Sequence, residues 1–165
     1  MKICIIGHAQ NGKDTCAEIF RDVFGLKFEA SSKFCCDKFI FNILKDKYNY
    51  ITPEECWLDR VNHRAEWYDL ICDYTKNDKS KLTREILELN DIYVGIRAPE
   101  EFKASKKLFD LIIWVDASKR KPLEPKSSMK LTKEMADIII ENNTTISDFY
   151  YKIMRLCYFA NLTKI

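Results

Sequence analysis

The sequence predicts an α/β protein in three layers: a mostly parallel five-stranded sheet flanked by helices. Three observations carry that expectation. Short β-branched apolar runs recur along the chain, among them "ICII" at 3–6, "LIIWV" at 111–115 and "DIII" at 137–140, the pattern of strands buried on both faces. Segments with helical spacing lie between those runs, as a parallel sheet with crossover helices requires. The first run also passes straight into a glycine-flanked bend and then a helix.

Residues 2–6 read as a buried strand. From Asp14 to Phe24, Cys16, Ala17, Ile19, Phe20, Val23 and Phe24 fall at helical spacing, and Gly25 is a natural terminator. "LKFEAS" at 26–31 reads as a second strand, and 33–48, carrying Phe34, Phe39, Phe41, Ile43 and Leu44, as a helix. "TPEE" at 52–55 is a helix start, with a threonine cap, proline at the first position and acids facing the dipole. A polar, aromatic-bearing helical region follows to about Tyr74. "KNDKS" at 76–80 is a turn, "LTREILEL" an amphipathic helix, "IYVGI" at 92–96 a strand, and "PEEFKASKKLF" a helix opened by proline. "LIIWV" is the clearest strand. A polar loop runs from Asp116 to about Lys130, "DIIIEN" gives the fifth strand, and Ile146–Leu162 closes the chain as a helix.

With 165 residues, the chain reads as one domain spanning 1–165, and 47% hydrophobic with 32% charged residues is ordinary globular composition. The 27 basic and 25 acidic residues leave a net charge of +2, which argues against a stable nucleic-acid partner. The seven cysteines show no CxxC spacing and read as reduced, mostly buried thiols. With only His8 and His63 available, no structural zinc site is expected. "ICIIG" is too short for a signal-peptide core and no stretch approaches the ~18 apolar residues of a spanning helix, so the expectation is a cytoplasmic protein with no membrane partner.

The chain has four glycines, and two of them, Gly7 and Gly12, stand five residues apart directly before Lys13. Gly7-x-x-x-x-Gly12-Lys13 between a strand and a helix is the context of a phosphate-binding loop. Glycines let several N–H groups converge on one anion, the helix N-terminus adds its dipole, and the lysine supplies a mobile charge. Gly7, His8, Ala9, Gln10, Asn11, Gly12, Lys13, Asp14, Thr15 and Cys16 form the candidate cradle. Asp14 stands where the usual pattern has serine or threonine. It either faces away and stabilises the first helical turn or, with Thr15, holds magnesium, through water in the case of Asp14.

"GKDT" after an apolar strand resembles the deoxynucleoside monophosphate kinases of bacteriophages, relatives of the adenylate-kinase class of phosphate-loop (P-loop NTPase) folds. "NHRAEWYDLICDY" is similar to that family's arginine-then-aromatic helix, and "YVGIRAPEEF" to its strand, arginine and helix. "IIWVDAS" and "MADIIIENNTTISDFYYKI" resemble its last two strands and closing helix. The resemblance implies a helical acceptor-binding insert at 33–75, a short lid loop at 117–131, ATP and Mg2+ as cofactors, and phosphoryl transfer to a deoxynucleoside 5′-monophosphate, in the host cytoplasm for a phage-encoded chain.

It also implies roles for particular residues. Arg97, just beyond a strand's carboxyl end, would grip the acceptor phosphate with its planar fork. Arg64 would hold phosphate beside the ring of Trp67, with Arg60 in support. Of Lys119, Arg120, Lys121 and Lys126, Arg120 is the lid residue expected to close on ATP, while Ser127 and Ser128 offer hydroxyls or fill a turn. Asn143, with Asn142, would border the adenine. Lys13, Arg97, Arg64 and Arg120 are thus the expected catalytic cations. One departure concerns the metal: Gly95 stands where many relatives carry an aspartate, leaving Asp14, Asp116, Glu100, or threonine and water, to serve magnesium. A kinase acting on hydroxymethylated bases in DNA and a non-catalytic nucleotide-binding module are the alternatives. The apolar closing helix is either packed or part of a homodimer face.

Overall fold

The computed structural model of the chain describes residues 1–125 and 129–159. Strands β1 (Ile3–Ile6), β2 (Phe28–Ala30), β3 (Ile92–Val94), β4 (Leu111–Asp116) and β5 (Ile138–Glu141) form one sheet in the order β2-β3-β1-β4-β5, with every neighbouring pair parallel. β1 is central: Ile3 stands beside Ile92 on one side and Leu111 on the other.

Alternation along the strands divides the core in two. Ile3, Ile5, Ile113 and Val115 face helices α1 (Lys13–Phe24) and α8 (Ile146–Phe159), packing with Cys16, Phe20, Phe149 and Ile153. Cys4, Ile6, Tyr93, Ile112 and Trp114 face the other way. That side is covered by the helices between β2 and β4, of which α2 (Ser31–Cys35), α3 (Phe41–Tyr48), α4 (Pro53–Asp59), α5 (Arg64–Tyr74), α6 (Lys81–Leu89) and α7 (Pro99–Ser105) contribute Cys35, Leu44, Cys56, Trp67, Ile86 and Phe102. Each buried aliphatic side chain stabilises the fold by roughly 1.5–3 kcal/mol. Burial on both faces is why these strands read as unbroken apolar runs.

The expected helix over 33–48 is a longer helical run, α2 and α3 joined through one π-helical turn at Cys36–Ile40. Thr52 caps α4 as expected, its side chain accepting from the Glu55 amide while Glu55 reaches back to the Thr52 amide. The helical region expected to run on to Tyr74 is broken at 60–63. There the Asp59 carboxylate takes the Tyr50 hydroxyl (2.5 Å), the Asn62 side-chain amide (2.6 Å) and His63 Nε2 (3.0 Å), partners that compete with a continuing helix. The expected 99–109 helix ends at Ser105 in a short 3-10 turn. The closing helix buries Phe149, Ile153 and Cys157 and exposes Ile146, Tyr151 and Tyr158, and the end expected for it beyond 159 lies outside the described residues. All seven cysteines are free thiols, Cys72 being the partly exposed one. Among the described residues no helix is long and apolar enough to cross a membrane.

Candidate functional site

From β1 the chain runs to the β2 edge, and from β4 it runs to the β5 edge. The crossovers therefore part between β1 and β4, and a crevice at the carboxyl ends of such strands is where open parallel sheets place ligands. The Gly7–Lys13 bend lies there. Gly7 has φ 143, and a Cβ at that position would stand 2.5 Å from the carbonyl oxygen of Val115, so no other residue lets the bend lie this close to β4. Gln10 (φ 60) and Gly12 (φ 94) are left-handed, the kind of winding that turns successive N–H groups into one concavity. α1 starts at Lys13, adding its free N-terminal amides and dipole.

Two buried asparagines pin the bend. Asn11 Nδ2 donates to the Val115 carbonyl at 3.2 Å, and Asn142 Nδ2 donates to the Asn11 carbonyl at 2.9 Å. The Asn142 amide donates in turn to the Asp116 carbonyl at 2.7 Å. The loop after β5 is thereby fastened to the cradle and to the end of β4.

Lys13 is 9% exposed and folds across the bend, Nζ donating to the His8 carbonyl at 2.7 Å. Burial, and next the Arg97 guanidinium, lowers its pKa to about 8, while the Asp14 and Glu124 carboxylates pull the other way. Arg97 lies three positions beyond Val94, the last residue of β3.

A carboxylate is held in this cradle. Glu124, from the loop after β4, accepts from the Ala9 amide through Oε2 at 2.5 Å and from Arg97 Nη1 through Oε1 at 2.8 Å. Its own amide donates to His8 Nδ1 at 3.3 Å. Burial alone would raise the Glu124 carboxyl, but Arg97, the Ala9 amide and Lys13 together hold it below its ordinary value.

A second group of cations lies on the helical side. Arg60 stands over Trp57, its guanidinium carbon 4.0 Å from the ring centroid, and donates to the Trp57 carbonyl at 2.6 Å. Burial lowers the Arg60 pKa, Arg64 lowers it further, and Asp14 opposes both. The Asp14 carboxylate thus acts on both Arg60 and Lys13, joining the two groups electrostatically. Arg64 is exposed at the first position of α5.

Two of the other expected residues turn into the core, and two lie beside the cradle. Trp67 is 4% exposed within the core, its indole N–H without a partner, and Cys16 is fully buried with its amide donating to the Gly12 carbonyl. Neither side chain offers a surface to a ligand. Arg120 Nε donates to the Asn142 carbonyl at 2.5 Å, and Asn143 Oδ1 accepts from the Lys119 amide at 3.0 Å while its side-chain nitrogen is buried without a partner. These four residues meet at one side of the cradle. Lys126, Ser127 and Ser128 lie outside the described residues.

Of the acids considered for a metal, Asp116 caps the turn after β4, accepting from the Ser118 amide at 2.8 Å. Glu100 is exposed in the first turn of α7. Asp14 and Thr15 open α1 beside Lys13, with Asp14 exposed. Among the described residues no three His, Cys, Asp or Glu side chains group as a metal site. Two features escaped the sequence reading. Trp57 under Arg60 was legible in the three-residue spacing. Glu124, one acid in a lysine- and proline-bearing loop, carried no signal at all.

No family model matches the chain, and no curated protein matches it in sequence. Solved structures are similar over nearly its whole length. The crystal structure of TT1252 from Thermus thermophilus covers 99% of this chain and 98% of its own at 16% identity, with a TM-score of 0.55. A dephospho-CoA kinase from Campylobacter jejuni covers 97% and 98% at 16% identity, with a TM-score of 0.51. At such identities the likeness is one of fold: a parallel five-stranded sheet between two layers of helices.

Proposed function

We propose that the chain is a phosphotransferase that moves the terminal phosphoryl group of ATP to a small acceptor, and that the acceptor is a deoxynucleoside 5′-monophosphate. The observation that carries this reading is the cradle itself, which sits at the parting of the crossovers and grips a carboxylate with the Ala9 amide and the Arg97 guanidinium. What holds one anion there can hold a phosphate.

In this reading the amides of residues 9–15 and the Lys13 ammonium hold the donor phosphates. Asp14 and Thr15 would hold Mg2+, which would neutralise charge on the phosphates. Arg97, just beyond β3, and Arg60, at the end of α4, would orient the acceptor phosphate and spread the charge that develops during transfer. Arg64 supports the same role by its position, because a cation in a helix's first turn opposes the dipole and gains nothing for the helix. The 33–75 helices serve as the acceptor insert. The 117–131 loop acts as the lid, with Arg120, Asn142 and Asn143 at the base side. A module that binds nucleotide without turnover is the second reading, favoured by Gly95 in place of an acid and by the absence of a three-ligand cluster among the described residues.

The test is an assay of purified protein with ATP and Mg2+ against the common ribo- and deoxynucleoside monophosphates, with hydroxymethylated DNA alongside, read as product diphosphate or phosphorylated DNA. One monophosphate converted, with loss of at least ~100-fold in Lys13→Ala and no loss of unfolding temperature, supports the proposal. Nucleotide bound but nothing converted selects the binding module, and conversion of DNA alone selects the modified-base kinase.

A further inference from the structure

We propose that Glu124 is a tethered anion that occupies the phosphate cradle in the free protein and must leave before a phosphate ligand can enter, so that the loop after β4 is an autoinhibitory latch. This rests on the reading of the cradle as a phosphate site.

The carboxylate is placed as a phosphoryl group would be. Its two oxygens divide between a cradle amide and a guanidinium, Oε2 on Ala9 N at 2.5 Å and Oε1 on Arg97 Nη1 at 2.8 Å. Lys13 adds electrostatic support, and the backbone amide of Glu124 fixes the segment to His8. The side chain is 12% exposed, so water has been largely removed from a charged group whose compensation comes from the groups assigned to phosphate. The partners come from two separate stretches of chain, at 8–13 and at 97. A loop that only needed anchoring could use solvent or its own backbone. Here its anchor takes the ligand's donors.

The Ala9 amide has a single N–H, which the Glu124 carboxylate takes at 2.5 Å, and two anions side by side at that amide would repel one another, so docking and ligand binding oppose each other. A phosphate brings more charge and more acceptor oxygens than a carboxylate and wins at sufficient concentration. The apparent affinity is reduced by the fraction of molecules with the latch open; a latch docked about nine-tenths of the time weakens binding about tenfold. Opening also frees Pro122–Pro125 from the cradle, which couples ligand entry to movement of that segment.

The experiment titrates inorganic pyrophosphate into full-length wild type, Glu124→Gln and Glu124→Ala by calorimetry. It also follows amide hydrogen exchange of wild type with and without pyrophosphate. The expected result is that both variants bind about tenfold more tightly, and that in wild type pyrophosphate slows exchange in 7–15 while speeding it in 119–125. Unchanged or weaker affinity in both variants, or slowed exchange in both segments of wild type, overturns the latch while leaving the phosphate site standing. No binding of pyrophosphate or ATP by any of the three proteins overturns both. The exchange measurement needs no variant, so a misfolded substitution cannot rescue the idea.

Discussion

Replacing Glu101 by glutamine should raise stability at alkaline pH and abolish a pH dependence that the wild type carries. Glu101 lies on α7, where burial raises its carboxyl to about 7 from an ordinary 4.5; the Tyr93 hydroxyl, which donates to Oε1 at 2.5 Å, and Lys79 pull it only partly back. Below pH 4.5 the group is protonated in the folded and unfolded chain, and folding costs nothing on its account. Between 4.5 and 7 the unfolded chain gives up the proton while the folded chain keeps it, so stability falls as pH rises; above 7 the loss is complete. At ~1.4 kcal/mol for each tenfold, the shift amounts to roughly 3 kcal/mol, and solvent reaching the partly exposed carboxylate trims this to about 2 kcal/mol. Glutamine keeps the acceptor for Tyr93 and never ionises. Urea unfolding of both proteins from pH 4.5 to 8.5, compared as a difference so that distant groups cancel, should show the variant gaining about 2 kcal/mol on the wild type across the range at an unchanged m-value. A flat difference, or one in which the wild type gains as pH rises, refutes the reasoning.

Three further outcomes follow from the geometry. Burial lowers the Lys13 pKa to about 8, and its charged form is the one that attracts phosphate; the advantage of wild type over Lys13→Ala in pyrophosphate affinity, a difference in which the ligand's own titration cancels, should be level below that pH and shrink above it by up to about tenfold per unit in calorimetry. Gly7→Ala places a methyl carbon 2.5 Å from a backbone oxygen at a φ of 143, and should destabilise by at least ~2 kcal/mol in urea unfolding; a loss below ~0.5 kcal/mol would mean that the bend does not lie against β4. Thr52→Ala removes the capping box of α4 and should cost about 1 kcal/mol, seen as faster hydrogen exchange at 53–59 with little change in β1 or β4.

What the sequence disclosed was what local pattern encodes. Buried strands with both faces covered leave unbroken apolar runs, so β1, β4 and β5 were readable within a residue or two, and the threonine cap, proline and acids of 52–55 announced the start of α4. The cradle was equally legible because two glycines and a lysine at fixed spacing have a single backbone logic. The break at 60–63 was not, since the Asp59 carboxylate draws Tyr50 from nine positions earlier in the chain, and no periodicity reports that. Trp67 shows the same limit, since it lies on an aromatic-bearing helix and only packing decides that it is buried. Glu124 reaches Ala9 across 115 positions, a partnership that the sheet order creates and sequence spacing cannot.

Charge at the cradle makes sense only when the groups are taken together. Lys13 and Arg97 repel one another, and Arg60 and Arg64 do the same on the helical side. Left alone, that crowding would favour loss of the Lys13 proton. Asp14 and Glu124 offset it, the first fixed at the start of α1 and the second borrowed from a loop. A chain with net charge +2 can therefore hold a local excess of cations that its composition hides. Gly95 fits the same balance. Its φ of 110, with the Ser31 hydroxyl 3.1 Å from where a Cβ would stand, makes an acid there costly by about 1–3 kcal/mol, so negative charge at this site comes from Asp14, from Glu124 or from the ligand. The first cannot leave and the second can, which is the physical reason to look for regulation in the loop after β4 rather than at the end of β3.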